Sequence, residues 1–273
     1  MNEHNIVHSF CRRGRVEMKK VTAFIGSAQK RATYEAVREF EKALKSYTEI
    51  DFEYVFLKDH RLEFCRGCKL CFDKGEEFCP IQDDRNVLID KISRSDGVIF
   101  ATPNYSFHVS APLKNLLDRL AFVFHRPRFF GKAFTSVVTQ GIFGGGSIVK
   151  YLGNMGENFG FSVAKGCVLK TLEPITEAAR EKNSHEINKA AARFYRVLIR
   201  PAPPSPSFFR LMMFRMSRTS MKEMLNDEYC DYRHYKAKGW FESDYYYNVS
   251  LNPIKKLVGK IFDFMGRQMS RQH

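Results

Sequence analysis

A chain of 273 residues, 44% hydrophobic and 27% charged, can bury a sizeable core, and it shows neither a low-complexity tract nor an internal repeat. No run approaches the 18 apolar residues of a membrane span, and residues 1–20 lack the apolar stretch of a secretory leader, so a cytoplasmic location is the default expectation. The net charge of +14 suits phosphorylated ligands, an anionic membrane or nucleic acid, but the basic residues are spread along the chain and single out none of these.

Residues 1–17 read as a disordered tail or the product of an upstream start, because Met18 stands directly before the first strand-like run. From there to residue 200, short β-rich runs alternate with helical patterns. Strands are expected over 20–26, 51–57, 97–102, 133–139 and 163–172. Helices are expected over 30–45, 84–95, 111–124, 147–158 and 177–199. Five strands separated by helices specify a three-layer α/β domain with a parallel sheet covered on both faces. Right-handed crossovers leave a few doubly wound orders, the flavodoxin-like one among them.

At Arg200 the character changes, and residues 201–273 form a separate extension. The stretch RPAPPSPS (200–207) holds four prolines and reads as an extended linker. Two helices, 208–225 and 253–268, flank an aromatic segment over 229–247. The extension carries 13 of the chain's 38 aromatic residues, which is unlike a solvating tail. The last helix gathers Ile254, Leu257, Val258, Ile261, Phe262, Met265 and Met269 on one face, with Lys255, Lys256, Lys260 and Arg267 elsewhere. Such a face ordinarily docks on its own domain or a neighbouring subunit, so the extension reads as a packing arm; contact with a membrane is the less common use.

The strongest chemical signal is Cys65-Arg-Gly-Cys68-Lys-Leu-Cys71, closed by Cys79-Pro80. Two-residue spacing lets a short loop turn three thiolates inward around a compact inorganic core, and the fourth completes a four-cysteine set for a [4Fe–4S] cluster. A compact zinc site uses the same ligand type, although structural zinc ordinarily takes two well-separated knuckles. A chance group of reduced thiols is the remaining alternative. Cys11, Cys167 and Cys230 are scattered and read as ordinary thiols.

Three loops fall on one edge of the sheet. Gly26 to Thr33, opening the first helix, offers backbone N–H groups, small hydroxyls and the charges of Lys30 and Arg31 to an anion. Pro103-Asn104-Tyr105-Ser106-Phe107 follows the third strand, where a rigid turn can present amides to the polar edge of a flat ring. Thr139 to Ser147 follows the fourth, its glycines allowing close backbone approach. Strands one and three flank the switch point at which doubly wound sheets bind ligands. The eight histidines show no paired metal spacing, and Asp83 or Asp84 reads as a helix cap.

In GSAQKRAT (26–33), CRGCKLCFDKGEEFCPIQDD (65–84), TPNYSFHVSAPLKNLLDR (102–119) and TQGIFGGG (139–146), the chain resembles the iron–sulfur flavoproteins, a branch of the NAD(P)H-dependent FMN reductase group. The resemblance covers about residues 19–200. It implies a flavodoxin-like fold, an FMN phosphate held by Ser27, Gln29, Lys30, Arg31, Ala32 and Thr33, and an isoalloxazine ring between the 103–107 turn and Gln140, Gly141, Gly144 and Gly145. It further implies a cluster on Cys65, Cys68, Cys71 and Cys79, NADH, NADPH or a ferredoxin-type donor as reductant, a redox partner or small-molecule acceptor, and a homodimer. Two rival readings remain: a cluster-free FMN or quinone reductase, and a basic zinc protein with four cysteine ligands that binds nucleic acid or a protein partner.

Overall fold

The computed structural model describes residues 18–271, so the N-terminal tail and its Cys11 lie outside the described residues. The strands β1 (Lys19–Ile25), β2 (Ile50–Phe56), β3 (Gly97–Pro103) and β4 (Ala133–Gln140) form a parallel sheet in the order β2-β1-β3-β4. This is the flavodoxin-like order expected from the alternation of elements.

Successive side chains of the central strands alternate between two apolar layers, as the pleat requires. Ala23, Ile25, Ile99, Ala101 and Val137 meet α1 (Ala32–Lys45) and the long closing helix (Glu177–Leu198) on one face. Phe24, Val98, Phe100, Phe134 and Val138 meet the helices of the other face. Those helices are α3 (Arg85–Arg94), α4 (Ala111–Arg119), α5 (Phe122–His125) and α6 (Gly145–Asn158), preceded by the short α2 (Leu70–Asp73) of the cysteine loop. Burying each such phenylalanine contributes roughly 1.5–3 kcal/mol, and this double burial is why β3 and β4 read as continuous apolar runs.

Four expectations need correction. The first helix begins at Ala32, not at residue 30. The strand expected over 163–172 is two short pieces, β5 (Ser162–Val163) and β6 (Cys167–Lys170), each pairing with a different half of β4. Between them Gly166 backs directly onto β4, where a Cβ would stand 2.2 Å from the Ser136 carbonyl oxygen, so the chain detours around that contact. The helix over 111–124 breaks after Arg119, because Leu120 turns into the core and carries α5 beneath the cysteine loop. Asp83 accepts the Arg85 N–H at 3.2 Å as a cap would, but both carboxylates serve mainly to hold the preceding loop: Asp84 accepts from Arg61 N, and Asp83 from Glu63 N.

With the closing helix as α7, the extension contains α8 (Phe208–Met224), α9 (Cys230–Ala237) and α10 (Pro253–Ser270). Helix α9 was not expected: its tyrosines and basic residues carry no clear helical stripe. The arm owns a small aromatic core of Leu211, Phe214, Tyr235, Trp240, Tyr245 and Leu251, against which Phe130 of the sheet domain packs. The arm packs on the sheet domain, but α10 turns most of its expected packing face outward, and of that face Phe262 packs on the aromatic core. Gly259, Asp263 and Gly266 are buried against α8, while Ile254, Leu257, Ile261 and Met265 face outward.

Candidate functional site: a cleft at the strand ends and the cysteine loop

The three loops expected to act together do converge. A cleft of about 430 Å³ is lined by Ser27, Ala28, Gln29, Arg31, Ala32 and Thr33, by Pro103, Asn104 and Tyr105, and by Thr139, Gln140, Gly141 and Thr171. It lies outside the carboxyl ends of β1, β3 and β4, at the switch point between β1 and β3. Backbone and side-chain bonds tie the loops together: Gly26 N donates to Ala101 O at 2.8 Å, Ser110 Oγ to Gly26 O at 2.8 Å, and Asn104 N to Thr139 O at 2.7 Å.

Helix α1 opens on this cleft with no side-chain cap, which leaves its first-turn N–H groups available to an anion. Arg31, at the N-cap position, lines the same wall. Lys30 does not: its ammonium lies over the rings of Tyr34 and Phe56, at 5.7 and 5.6 Å, away from the cleft. Thr33 is buried, with its hydroxyl 2.8 Å from that of Thr139. Thr139 and Thr171 were not singled out from sequence. Thr139 stands in the strand-end stretch that was, and Thr171 becomes visible only once the end of β6 is placed.

The second loop is a tight turn whose central residues, Ser106 and Phe107, both have left-handed backbones (φ 50° and 61°). Tyr105 N donates to His108 O at 3.2 Å and His108 N to Tyr105 O at 3.0 Å across it. Non-glycine residues adopt this conformation at a penalty of roughly 1 kcal/mol each, and such strain gathers at functional sites. Ser106 and Phe107 sit on the rim and do not line the cleft. Phe107 is exposed and leans on Phe143, ring centroids 5.3 Å apart. Gly144 (φ 98°) passes under Phe107, where a Cβ would stand 2.6 Å from its ring. Gly145 begins α6, its N–H donating to Gln140 Oε1 at 2.6 Å.

Asn104 donates from Nδ2 to Phe143 O at 2.9 Å, joining the second and third loops. Its Oδ1 is buried and accepts no bond. A buried amide oxygen without a donor costs about 1–3 kcal/mol, so this atom is suited to a ligand N–H.

The cysteine loop runs between β2 and α3. It bends at Gly67, Lys69 and Gly75, all with positive φ, and is pinned along α4 and α5. Asn115 Nδ2 donates to Leu62 O at 2.7 Å. Buried Arg119 donates to Cys79 Sγ at 3.2 Å and to Asp83 Oδ1 at 2.8 Å. Burial works against ionisation of Cys79, but the Arg119 hydrogen bond and charge outweigh it and hold the thiol below its ordinary pKa. Burial pushes the Cys71 thiol up, and the neighbouring Cys65 and Cys79 add to that. Arg126, which sequence reasoning passed over, donates to Cys71 O at 2.6 Å and Glu76 Oε2 at 3.0 Å, and pairs with Asp231 of α9. No local pattern marks these arginines; only the fold brings them to the loop.

The four cysteines are free thiols, Cys65 and Cys68 exposed and Cys71 and Cys79 half-buried. Among the described residues no three His, Cys, Asp or Glu side chains are gathered closely enough to hold a metal ion. The donor chemistry suits an iron–sulfur cluster. Its ligation would require the exposed 65–68 stretch to close over Cys71 and Cys79.

A model of the NADPH-dependent FMN reductase family matches residues 19–171, which include β1 to β6, the three cleft loops and the cysteine loop. The chain belongs to that family. Two proteins of Archaeoglobus fulgidus named iron–sulfur flavoprotein are 34% identical over 136 residues and 33% identical over 132 residues. Those matches cover 49% and 47% of this chain, and 55% and 62% of the relatives, so the chain spans little more than half of their length. Among solved structures, an azoreductase of Bacillus anthracis shares the fold at 16% identity and a TM-score of 0.52, over 66% of this chain and all of that one. RosB, solved with a bound 8-demethyl-8-formylriboflavin-5'-phosphate, shares it at 15% identity and a TM-score of 0.52, over 86% of this chain and 92% of that one. Among the described residues, no helix is long and apolar enough to cross a membrane.

Proposed function

We propose that the protein is an FMN-dependent oxidoreductase that takes electrons from NADH or NADPH and passes them to a redox partner or small-molecule acceptor. The observation that carries this reading is the cleft formed by three strand-end loops around the uncapped start of α1. Ser27, Gln29, Ala32, Thr33 and the charge of Arg31 hold the FMN phosphate there. Asn104 and Gln140 meet the polar edge of the ring, and Asn104 Oδ1 gains the donor it lacks. When bound, FMN supplies a carrier that accepts a hydride pair and releases electrons singly.

The same reading assigns Cys65, Cys68, Cys71 and Cys79 to a [4Fe–4S] cluster, supported by the name carried by the archaeal relatives and by the free thiols of the loop. Arg119 then places a charged donor against the Cys79 sulfur. The chain works as a homodimer in the cytoplasm, with the exposed Tyr105, Phe107, Ile142 and Phe143 beside the cleft covered by the second copy. A second reading, a cluster-free reductase, is favoured by the open arrangement of the four thiols.

Protein purified without oxygen and examined by absorption, with iron and sulfide assays, tests both. A flavin spectrum on a broad iron–sulfur background with about four irons per chain supports the full reading. Flavin without iron selects the cluster-free reductase. A colourless zinc protein, or one that takes up no FMN, overturns the assignment.

A further inference from the structure

An amphipathic helix that packs in the ordinary way buries its apolar stripe and leaves its charges in water. Helix α10 turns most of its apolar stripe to the outside as well. Apart from Phe262, which packs on the aromatic core of the arm, its inward face is small and polar: Arg215 and Arg218 of α8 donate to Asp263 at 2.5 and 2.6 Å, and Thr219 Oγ1 at 3.0 Å. At Gly266 the two helices approach so closely that a Cβ would lie 3.0 Å from Met216 O. Three side chains of α8 thus converge on Asp263, and rolling the apolar side of α10 inward would break all three bonds. The outward face carries Ile254, Leu257, Ile261, Phe264, Met265 and Met269, between 42% and 64% exposed, along nearly the whole length of the helix.

One edge of that stripe is basic. At 100° per residue, Lys256, Lys260, Arg267 and Arg271 fall side by side along it. Asp263, the only acidic residue of the helix, is turned inward. Two such basic edges repel one another, which disfavours pairing of α10 with a second copy, whereas an anionic surface attracts them. A continuous apolar stripe beside a row of cations matches the boundary between acyl chains and anionic headgroups.

We propose that α10 docks the protein on an anionic membrane surface, its apolar stripe entering the headgroup boundary and its basic edge meeting lipid phosphates. The arm is then a peripheral anchor, held on the sheet domain through α8 and α9, which presents the protein to membrane-associated partners without crossing the bilayer. Most of the stripe that the sequence pattern gives to self-packing, with Val258 and Phe262 excepted, is then membrane-facing.

Flotation of the full-length protein decides this, using vesicles of phosphatidylcholine alone and of phosphatidylcholine with phosphatidylglycerol. The expected result is flotation with the anionic vesicles, reversed by salt, and none with the neutral ones. Lys256→Gln should lower the partition coefficient about fivefold, and Lys256→Gln with Lys260→Gln and Arg267→Gln on the order of a hundredfold. Leu257→Ser with Ile261→Ser should abolish flotation while far-ultraviolet circular dichroism stays unchanged, since both positions are exposed. Failure to float, flotation unaffected by these variants, or equal binding to neutral vesicles overturns the proposal. So does a shift from dimer to monomer in Leu257→Ser/Ile261→Ser without vesicle binding by the parent, which assigns the stripe to a second copy.

Discussion

Arg126 and Asp231, 105 positions apart, are buried against each other and join the C-terminal arm to the cysteine loop. Arg126 is 1% exposed, and its other terminal nitrogen donates to Cys71 O and Glu76. The second carboxylate oxygen of Asp231 lies 2.6 Å from His125 Nδ1. The arm is therefore one wall of the loop that carries the thiols, not an appendage to a finished domain.

Removing one partner of a buried pair costs about 3–5 kcal/mol where the other is left alone, and less than that here because Arg126 keeps Glu76. Asp231→Asn should accordingly loosen the loop while leaving the sheet intact. The expected outcome is at least about tenfold faster alkylation of Cys71 and faster amide exchange over 69–76. Arg126→Met with Asp231→Leu should recover part of the loss, because neither charge is then left buried alone. Unchanged exchange in Asp231→Asn would show that the loop is ordered by other contacts.

Asn104 should matter to flavin affinity in a way its surroundings make specific. Asn104→Ala removes both the unpaired Oδ1 acceptor and the Nδ2 donor to Phe143 O. Loss of one good ligand hydrogen bond is worth about 1.4 kcal/mol, or a tenfold rise in Kd for FMN, measured by quenching of flavin fluorescence. Asn104→Asp keeps the acceptor and loses the donor, so its affinity should fall between the two. An Asn104→Ala variant with parental affinity would remove Asn104 from the ring-binding set.

The left-handed pair Ser106-Phe107 predicts a trade between stability and function. Ser106→Gly relieves a penalty of roughly 1 kcal/mol and should raise Tm by about 2–4 °C in calorimetry. The same change frees the turn that positions Tyr105 and Asn104, so FMN binding should weaken while Tm rises. A fall in Tm would mean that the Ser106 side chain stabilises the turn in a way its contacts do not reveal.

Much of this could be read from the residues. The runs 97–102 and 133–139 are apolar because β3 and β4 are covered on both faces, and that continuity fixed the class of sheet and hence the edge on which Gly26 to Thr33, Pro103 to Tyr105 and Gln140-Gly141 meet. The cysteine spacing was equally plain. What could not be read was direction. Lys30 turns away because Tyr34 and Phe56 offer it two ring faces, which depends on β2 lying beside α1. The outward apolar face of α10 depends on Asp263 finding two arginines 48 and 45 positions earlier in the chain. Periodicity identifies a stripe; it does not say which side the partner takes.

The arm should report acid through His234. Burial, and then the positive charges of Arg126, Arg128 and Lys238, hold its imidazole down at about 4. Its Nε2 is buried with no bond, so the folded arm has nothing to offer an added proton. An unfolded histidine titrates near 6.5. Below that value the unfolded arm binds the proton more readily than the docked one, so stability falls as pH drops from 6.5 towards 4 and is flat in this group above 6.5. After allowance for solvent screening the loss is roughly 2 kcal/mol. Trp240, the only tryptophan, lies with its ring 5.2 Å from that of His234 and reports the change directly. Tryptophan fluorescence during denaturant titration at about pH 7.5 and about pH 4.5, on either side of the ordinary histidine value, should show a lower midpoint in acid. His234→Gln, which cannot charge, should flatten the difference; an equal acid shift in that variant would assign the sensitivity to another group.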